Sequence, residues 1–199
     1  MFTAADRLAG VTAVDLYALY PDFDIDVDAE QQRLLAHDVV IFQHPMFWYS
    51  SPALLKEWQD LVLEYGFAYG SGGQRLAGKL FFNAITTGGA QDEYSHEGRN
   101  HFTIRELLQP FEQTADLCRM IYLPPFVLFD ARRARADGRA QVHLASWSRL
   151  LIALRDDRID IGRLRTAPLL DVGAIAGDPG RPAFTAHASV PGQSGQVKP

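Results

Sequence analysis

Val39-Val40-Ile41-Phe42-Gln43-His44-Pro45-Met46-Phe47-Trp48-Tyr49-Ser50-Ser51-Pro52, continued by Ala53-Leu54-Leu55-Lys56-Glu57-Trp58, says what kind of sheet this chain builds. The first four residues form a continuous apolar run, three of them β-branched, the pattern of a short strand buried on both faces. Beyond Pro52, residues Leu54, Leu55, Trp58, Leu61 and Val62 recur at helical spacing, so Trp58 reads as core. Ser51 is placed to cap that helix and Pro52 to occupy its first position. Between strand and helix lie three adjacent aromatics, in a loop that would ordinarily face water. In open α/β sheets the crevice beyond the carboxyl ends of the strands binds ligands. A flat ring stacked there would give these aromatics a partner.

A second strand-like run, Lys79 to Ile85, ends in Thr86-Thr87-Gly88-Gly89. Small residues let the backbone approach a ligand closely and leave amide and hydroxyl donors free. A Thr-Thr-Gly-Gly turn is common by itself; its position directly after a strand gives it weight.

The remaining pattern alternates. Val11 to Tyr17 is β-branched and reads as a strand. Asp28 is placed to cap a helix over Glu30 to Ala36, with Leu34 and Leu35 facing the core. A polar loop spans Ala90 to Asn100, and a helix follows over Thr103 to Met120, bent at Pro110. Phe126 to Phe129 is the last strand, and a helix covers Arg139 to Arg155. Four strands alternating with helices predict a doubly wound parallel sheet in one domain, residues 1–162. Residues 163–199 are Gly/Pro-rich without periodicity and read as a disordered tail.

The two loops together resemble the flavin-binding segments of the flavodoxin-like NAD(P)H:quinone oxidoreductases. Within that group the likeness is greatest to the ancillary proteins of bacterial glutathione-regulated potassium efflux systems. It runs from about Ala9 to Ile161, through Leu16 to Phe23, Gln43 to Trp58, Gly66 to Lys79, Thr86 to Gly89 and Leu123 to Phe126. The resemblance implies a flavodoxin-like α/β fold and an FMN cofactor, with FAD as the alternative. NAD(P)H would be the co-substrate and a quinone the acceptor. It also implies a homodimer, with Phe67 and Tyr69 on the rim facing the partner chain. A regulatory subunit on the cytoplasmic face of a potassium/proton antiporter is the second role it supports.

Carried over residue by residue, the resemblance assigns Met46, Phe47, Trp48 and Tyr49 to the flavin ring, and Thr86, Thr87, Gly88 and Gly89 to its pyrimidine side. Without it, a flavin loop and an aromatic cluster under a loop remain equally open readings. Tyr94 and His101 fall where related quinone reductases carry a Tyr and a His beside the reacting ring, the His displaced by about one position. As catalytic residues they would donate to charge that builds during hydride transfer; otherwise they are ordinary loop residues.

One departure is large. The family begins with a strand and a loop rich in His, Ser and Asn that holds the flavin phosphate, whereas Phe2 to Leu8 here matches the end of the first helix. The expectation is a sheet lacking its first strand, from a late-annotated start or a trimmed gene. The strand order 2-1-3-4-5 puts that strand inside the sheet, so Val11 to Tyr17 would have no neighbour.

Composition narrows the classes. The chain has 199 residues, 47% of them apolar, which suffices for one cored domain. A net charge of −5 argues against a nucleic-acid binder. No run approaches the roughly 20 apolar residues of a membrane span, and no secretory signal opens the chain. The single cysteine, Cys118, permits no internal disulfide, fits a cytoplasmic location and reads as a small buried hydrophobe. Gly73 to Leu80 comes close to a phosphate-binding P-loop, but Leu80 stands where Ser or Thr is required. His37, His96, His143 and His187 show no metal-ligand spacing, and His44 beside Pro45 reads as hydrogen-bonded structure. No nucleophile elbow or carboxylate pair supports a hydrolase.

Overall fold

In the computed structural model, which describes residues 1–170, helices and strands alternate around one parallel sheet. Helix α1 (Phe2–Asp6) is followed by a single turn, α2 (Leu16–Leu19), capped by the Asp15 carboxylate, which accepts the Tyr17 and Ala18 amides. Helix α3 (Val27–Leu35) starts at Asp26, whose carboxylate accepts the Ala29 amide at 2.9 Å. Asp28, expected as the cap, lies in the first turn instead, where it complements the helix dipole. Strand β1 (Val39–Pro45) leads to α4 (Ala53–Val62), and β2 (Leu80–Thr86) leads to a 3-10 turn over Gln91–Glu93. Helices α5 (Ile104–Leu107) and α6 (Gln109–Leu117) precede β3 (Ile121–Tyr122) and β4 (Phe126–Leu128). Helices α7 (Ala131–Ala136), α8 (Arg139–Arg155) and α9 (Ile161–Leu164) close the order.

The expected single helix from Thr103 to Met120 is two. Leu108 separates them, because Pro110 in the first turn of α6 cannot donate to a continuing helix. Thr103 and Glu106 form a reciprocal capping box on α5. At α4 the capping position falls on Pro52 rather than Ser51, and no side chain caps it.

β2 is central, with β1 on one side and β3 and β4 on the other, all parallel. β3 and β4 form one broken row. Pro124 and Pro125 supply no ladder donors and interrupt it. Register brings the carboxyl ends level, with Pro45 opposite Thr86 and Thr86 opposite Leu128. Both faces of the sheet are covered, as parallel sheets require. Phe42, Phe81 and Ile85 pack with Leu34, Leu54, Trp58, Val62 and Phe111 on one face. Phe82 and Ala84 pack with Ala5, Trp147, Leu150 and Leu151 on the other.

Residues 11–17 do not form the expected strand. Val11 to Val14 is irregular, and Leu16–Leu19 is helical under the Asp15 cap. Their β-branched alternation is a local preference, and a strand needs a hydrogen-bonded neighbour that β1 does not provide at this distance. The packed domain also runs past residue 162. Leu164 and Leu170 are buried in the second cluster, and the Leu170 amide donates to the Pro125 carbonyl at 2.9 Å. Residues 171–199 of the expected tail, His187 among them, lie outside the described residues.

Candidate functional site

The level ends of β1, β2 and β4 place three loops on one rim of the sheet, where ligands of such sheets bind. The first loop turns sharply at Phe47 to Ser50, whose backbones exchange hydrogen bonds at 3.0 and 2.9 Å. Its two central residues, Trp48 and Tyr49, have φ of 48° and 63°, the arrangement of a type I′ turn. Such turns ordinarily use Asn-Gly, because a side chain in the left-handed region costs about 1–2 kcal/mol per residue. The strain holds Trp48 94% exposed, with Phe47 and Tyr49 each about half exposed beside it. Strained backbone of this kind concentrates at ligand clamps.

Hydrogen bonds knit this turn to the other loops. The Met46 amide donates to the Thr86 carbonyl at 2.9 Å, and the Tyr49 hydroxyl donates to Asn100 Oδ1 at 3.2 Å. Thr87 is 2% exposed, and its hydroxyl donates to the Gly89 carbonyl at 2.9 Å, so it shapes the turn from within. Gly88 is open to solvent, while Thr86 and Gly89 are half-buried. A Cβ at Gly89 would meet Glu93 Oε2 at 2.8 Å and the Tyr94 ring at 3.2 Å, so the missing side chain lets Tyr94 close over the turn. Phe129 backs that ring at 5.8 Å between centroids. Burial raises the Tyr94 phenol above its usual range, against the opposing influence of Thr87 and Gly89. Tyr94 is therefore a protonated donor at neutral pH.

His101 stands apart. It is exposed, its φ is 59°, and among the described residues no hydrogen bond joins it to Tyr94. His96, passed over in the sequence, reaches the His101 carbonyl through Nδ1 at 3.3 Å and lies 3.6 Å from Glu106. Asn100 and Phe129 were also missed. Their only signals were adjacency to His101 and the end of the last apolar run.

Under the crevice runs a buried polar chain. Tyr122 donates to Asn83 Oδ1 at 2.7 Å, Asn83 Nδ2 donates to His44 Nε2 at 3.2 Å, and His44 Nδ1 donates to the Pro45 carbonyl at 3.0 Å. Burial pushes the His44 imidazole down and the Tyr122 phenol up, so both are neutral at pH 7. The tautomer protonated at Nδ1 satisfies both histidine bonds. His44 is thus the structural residue its place beside Pro45 suggested. The Gly73 to Leu80 segment is a connection into β2, and Lys79 donates to the His37 carbonyl rather than facing an open anion site. No metal-binding cluster of His, Cys, Asp or Glu occurs among the described residues.

A family model described as flavodoxin-like fold matches residues 1–151. The chain belongs to this flavodoxin-like family. It is 53% identical over 133 residues to the glutathione-regulated potassium-efflux system ancillary protein KefG of Pectobacterium carotovorum, spanning 67% of this chain and 73% of that one. General stress protein 14 of Treponema denticola, solved in complex with FMN, is 40% identical with a TM-score of 0.63, over 70% of this chain and 81% of that chain. An NADPH-quinone reductase from P. pentosaceus is 31% identical with a TM-score of 0.65, over 74% of this chain and 84% of that chain.

Within this flavodoxin-like chain the turn can be tested by substitution. Trp48→Gly should raise stability by about 1 kcal/mol, since glycine adopts positive φ without strain. A flat ring stacked on Trp48 would lose about two- to tenfold in affinity through the same change, the worth of an aromatic stack. Chemical denaturation and flavin titration on one sample read both. Lost stability would mean that Trp48 is packed core.

Proposed function

We propose that this chain is an FMN-dependent NAD(P)H:quinone oxidoreductase. The observation that carries the proposal is the Phe47 to Ser50 turn, which holds an exposed Trp and Tyr in strained backbone at the level ends of three parallel strands. Its FMN-bound and quinone-reductase relatives support the same reading.

The ring half of a flavin fits these residues. Met46, Phe47, Trp48 and Tyr49 would pack against one side of it, and Thr86, Gly88 and Gly89 would offer backbone on the pyrimidine side, with Thr87 shaping the turn. A bound flavin supplies the hydride-accepting chemistry. The chain's own work is to stack, orient and shield it, and to hold the Tyr94 proton beside the Gly88–Gly89 turn as a donor. NAD(P)H and quinone would take turns on the open side, beside Trp48. His101 has the weaker case for a catalytic part.

The phosphate half fits poorly. A flavin phosphate is normally met by free amides at a helix N-terminus. Helix α4, which starts at this rim, begins at Pro52, which has no amide hydrogen, and the Leu55 and Lys56 amides already donate to the Pro52 carbonyl, so few donors are left for an anion. With so few donors at this helix end, FMN should bind with a dissociation constant above about 1 µM, weaker than about −8 kcal/mol. Quenching of flavin fluorescence measures it, and submicromolar affinity would defeat this part of the reading.

The identity with KefG favours a second role, as a regulatory subunit docked peripherally on a potassium/proton antiporter at the inner face of the membrane. Among the described residues no helix is long and apolar enough to cross a membrane. The two roles separate on one preparation. Flavin bands bleached by NAD(P)H favour the enzyme, and colourless protein that still captures the antiporter favours the subunit. In either role a homodimer would use the aromatic surface around Tyr65, Phe67 and Tyr69, of which Tyr65 is the most exposed.

A further inference from the structure

Asn100 sits beside Tyr94, where His101 was expected. Its backbone amide donates to the Glu93 carbonyl at 2.9 Å, which sets the two residues side by side. The loop folds back this tightly because Gly98 lies against the backbone of Asp92 and Glu93. A Cβ there would meet the Asp92 carbonyl oxygen at 2.4 Å. Two further bonds brace the fold-back: Ser95 Oγ donates to that Asp92 carbonyl at 3.0 Å, and the Gly98 amide donates to the Ser95 carbonyl at 3.1 Å. His101 follows with a φ of 59° and is exposed. One step of backbone thus separates a half-buried carboxamide beside Tyr94 from an imidazole in solvent.

The carboxamide is oriented from the other side of the crevice. Tyr49, at a φ of 63° in the Phe47 to Ser50 turn, donates its hydroxyl to Asn100 Oδ1 at 3.2 Å. The strained turn and the Tyr94 loop are therefore strapped together through one side chain. Burial is the first cause of the raised Tyr94 phenol, and the Tyr49 phenol is among the smaller ones, so Tyr49 is a near neighbour of Tyr94 as well. A primary amide carries one acceptor oxygen and two N–H donors. With Oδ1 engaged by Tyr49, Nδ2 keeps two donors that have no acceptor among the described residues. Tyr49, Tyr94 and Asn100 thus bring three polar groups to one point of the rim, and His101 contributes none.

We propose that Asn100 Nδ2, oriented by Tyr49, is the second donor of the crevice beside Tyr94, and that it hydrogen-bonds a carbonyl oxygen of the bound quinone. The inference rests on the oxidoreductase reading and adds the group that recognises the acceptor. NAD(P)H and one proton from water convert a quinone to its hydroquinone, so two electrons and two protons arrive and no atom of Asn100 is transferred. Negative charge collects on the carbonyl oxygen before its proton does, and a donor already in place stabilises it there. An amide does not titrate, so this donor is present at any working pH. Tyr49 is a positioning residue, acting through Asn100.

The probe is menadione labelled isotopically at both carbonyls, added to the full chain saturated with FMN. A hydrogen bond lowers a carbonyl stretch. Isotope-edited infrared spectra of the oxidised complex should therefore show a lowered band in the wild type that moves back up in Asn100→Leu. In turnover the same variant should lose about three- to tenfold in kcat/KM for menadione, the worth of one uncharged hydrogen bond. It should lose little with ferricyanide, which takes electrons without offering a carbonyl. Tyr49→Phe keeps its ring, removes the strap and should fall between the two. The same carbonyl band in wild type and Asn100→Leu, an equal loss with ferricyanide, or a greater loss in His101→Leu would each overturn the proposal. Wild-type protein that reduces neither acceptor would remove the oxidoreductase reading and this inference with it. Wild-type protein active on both, with Asn100→Leu indistinguishable from it, would remove this inference alone.

Discussion

Asn83→Leu is expected to cost about 2–6 kcal/mol of folding stability, although leucine has the same branched side-chain skeleton as asparagine. Asn83 is wholly buried in β2, accepts from Tyr122 in β3 and donates to His44 in β1. Removing it leaves the Tyr122 hydroxyl and His44 Nε2 buried without partners, at about 1–3 kcal/mol each. Against a typical total of about 5–15 kcal/mol, that is a large fraction. Replacing all three, with Tyr122→Phe and His44→Leu added, should recover much of the loss, since apolar groups need no partner. Urea midpoints for the single and triple variants measure both. A single-variant loss under about 1 kcal/mol would mean the chain contributes little to the sheet.

Tyr94→Phe is expected to slow flavin reduction by NAD(P)H about ten- to hundredfold, with little change in flavin affinity. A positioned donor is worth about 10²–10⁴-fold, and a half-buried loop position falls at the low end. The phenyl ring that remains still packs on Phe129 and over Gly89, so the site keeps its shape and loses only the proton. His101→Gln should have a smaller effect, because no hydrogen bond relays His101 to Tyr94. Stopped-flow reduction at saturating FMN separates the variants. An unchanged rate in Tyr94→Phe would reduce it to a ring that shapes the loop.

Much of the sheet could be read in advance because its signals are local. The apolar runs at Val39 and Leu80 both became strands, and the long helix over Arg139–Arg155 begins and ends where its pattern does. Val11 to Tyr17 misled for the converse reason. Its alternation is a local preference, while a strand also needs a neighbour, and Asp15 offers a helix cap as a competitor. The aromatic loop was legible as a candidate site from composition and position. Its left-handed turn was not, since the residues that usually announce one, Asn and Gly, are absent from Trp48-Tyr49. The link between Asn83 and Tyr122 joins residues 39 apart, and only the register of β2 and β3 brings them together. Tyr94 and His101 fall in the same polar loop by spacing, yet only the backbone path shows that one ring closes over Gly89 and the other faces solvent.

The central claim is that the rim around Trp48 holds a flavin that NAD(P)H reduces and a quinone reoxidises. Anaerobic spectroscopy tests it most directly, with FMN added in excess over the measured dissociation constant and NAD(P)H mixed in, followed by a quinone. The account predicts bleaching of the flavin bands that scales with protein concentration, and their full return on adding quinone. Flavin that stays oxidised while fluorescence titration shows the site filled would contradict it.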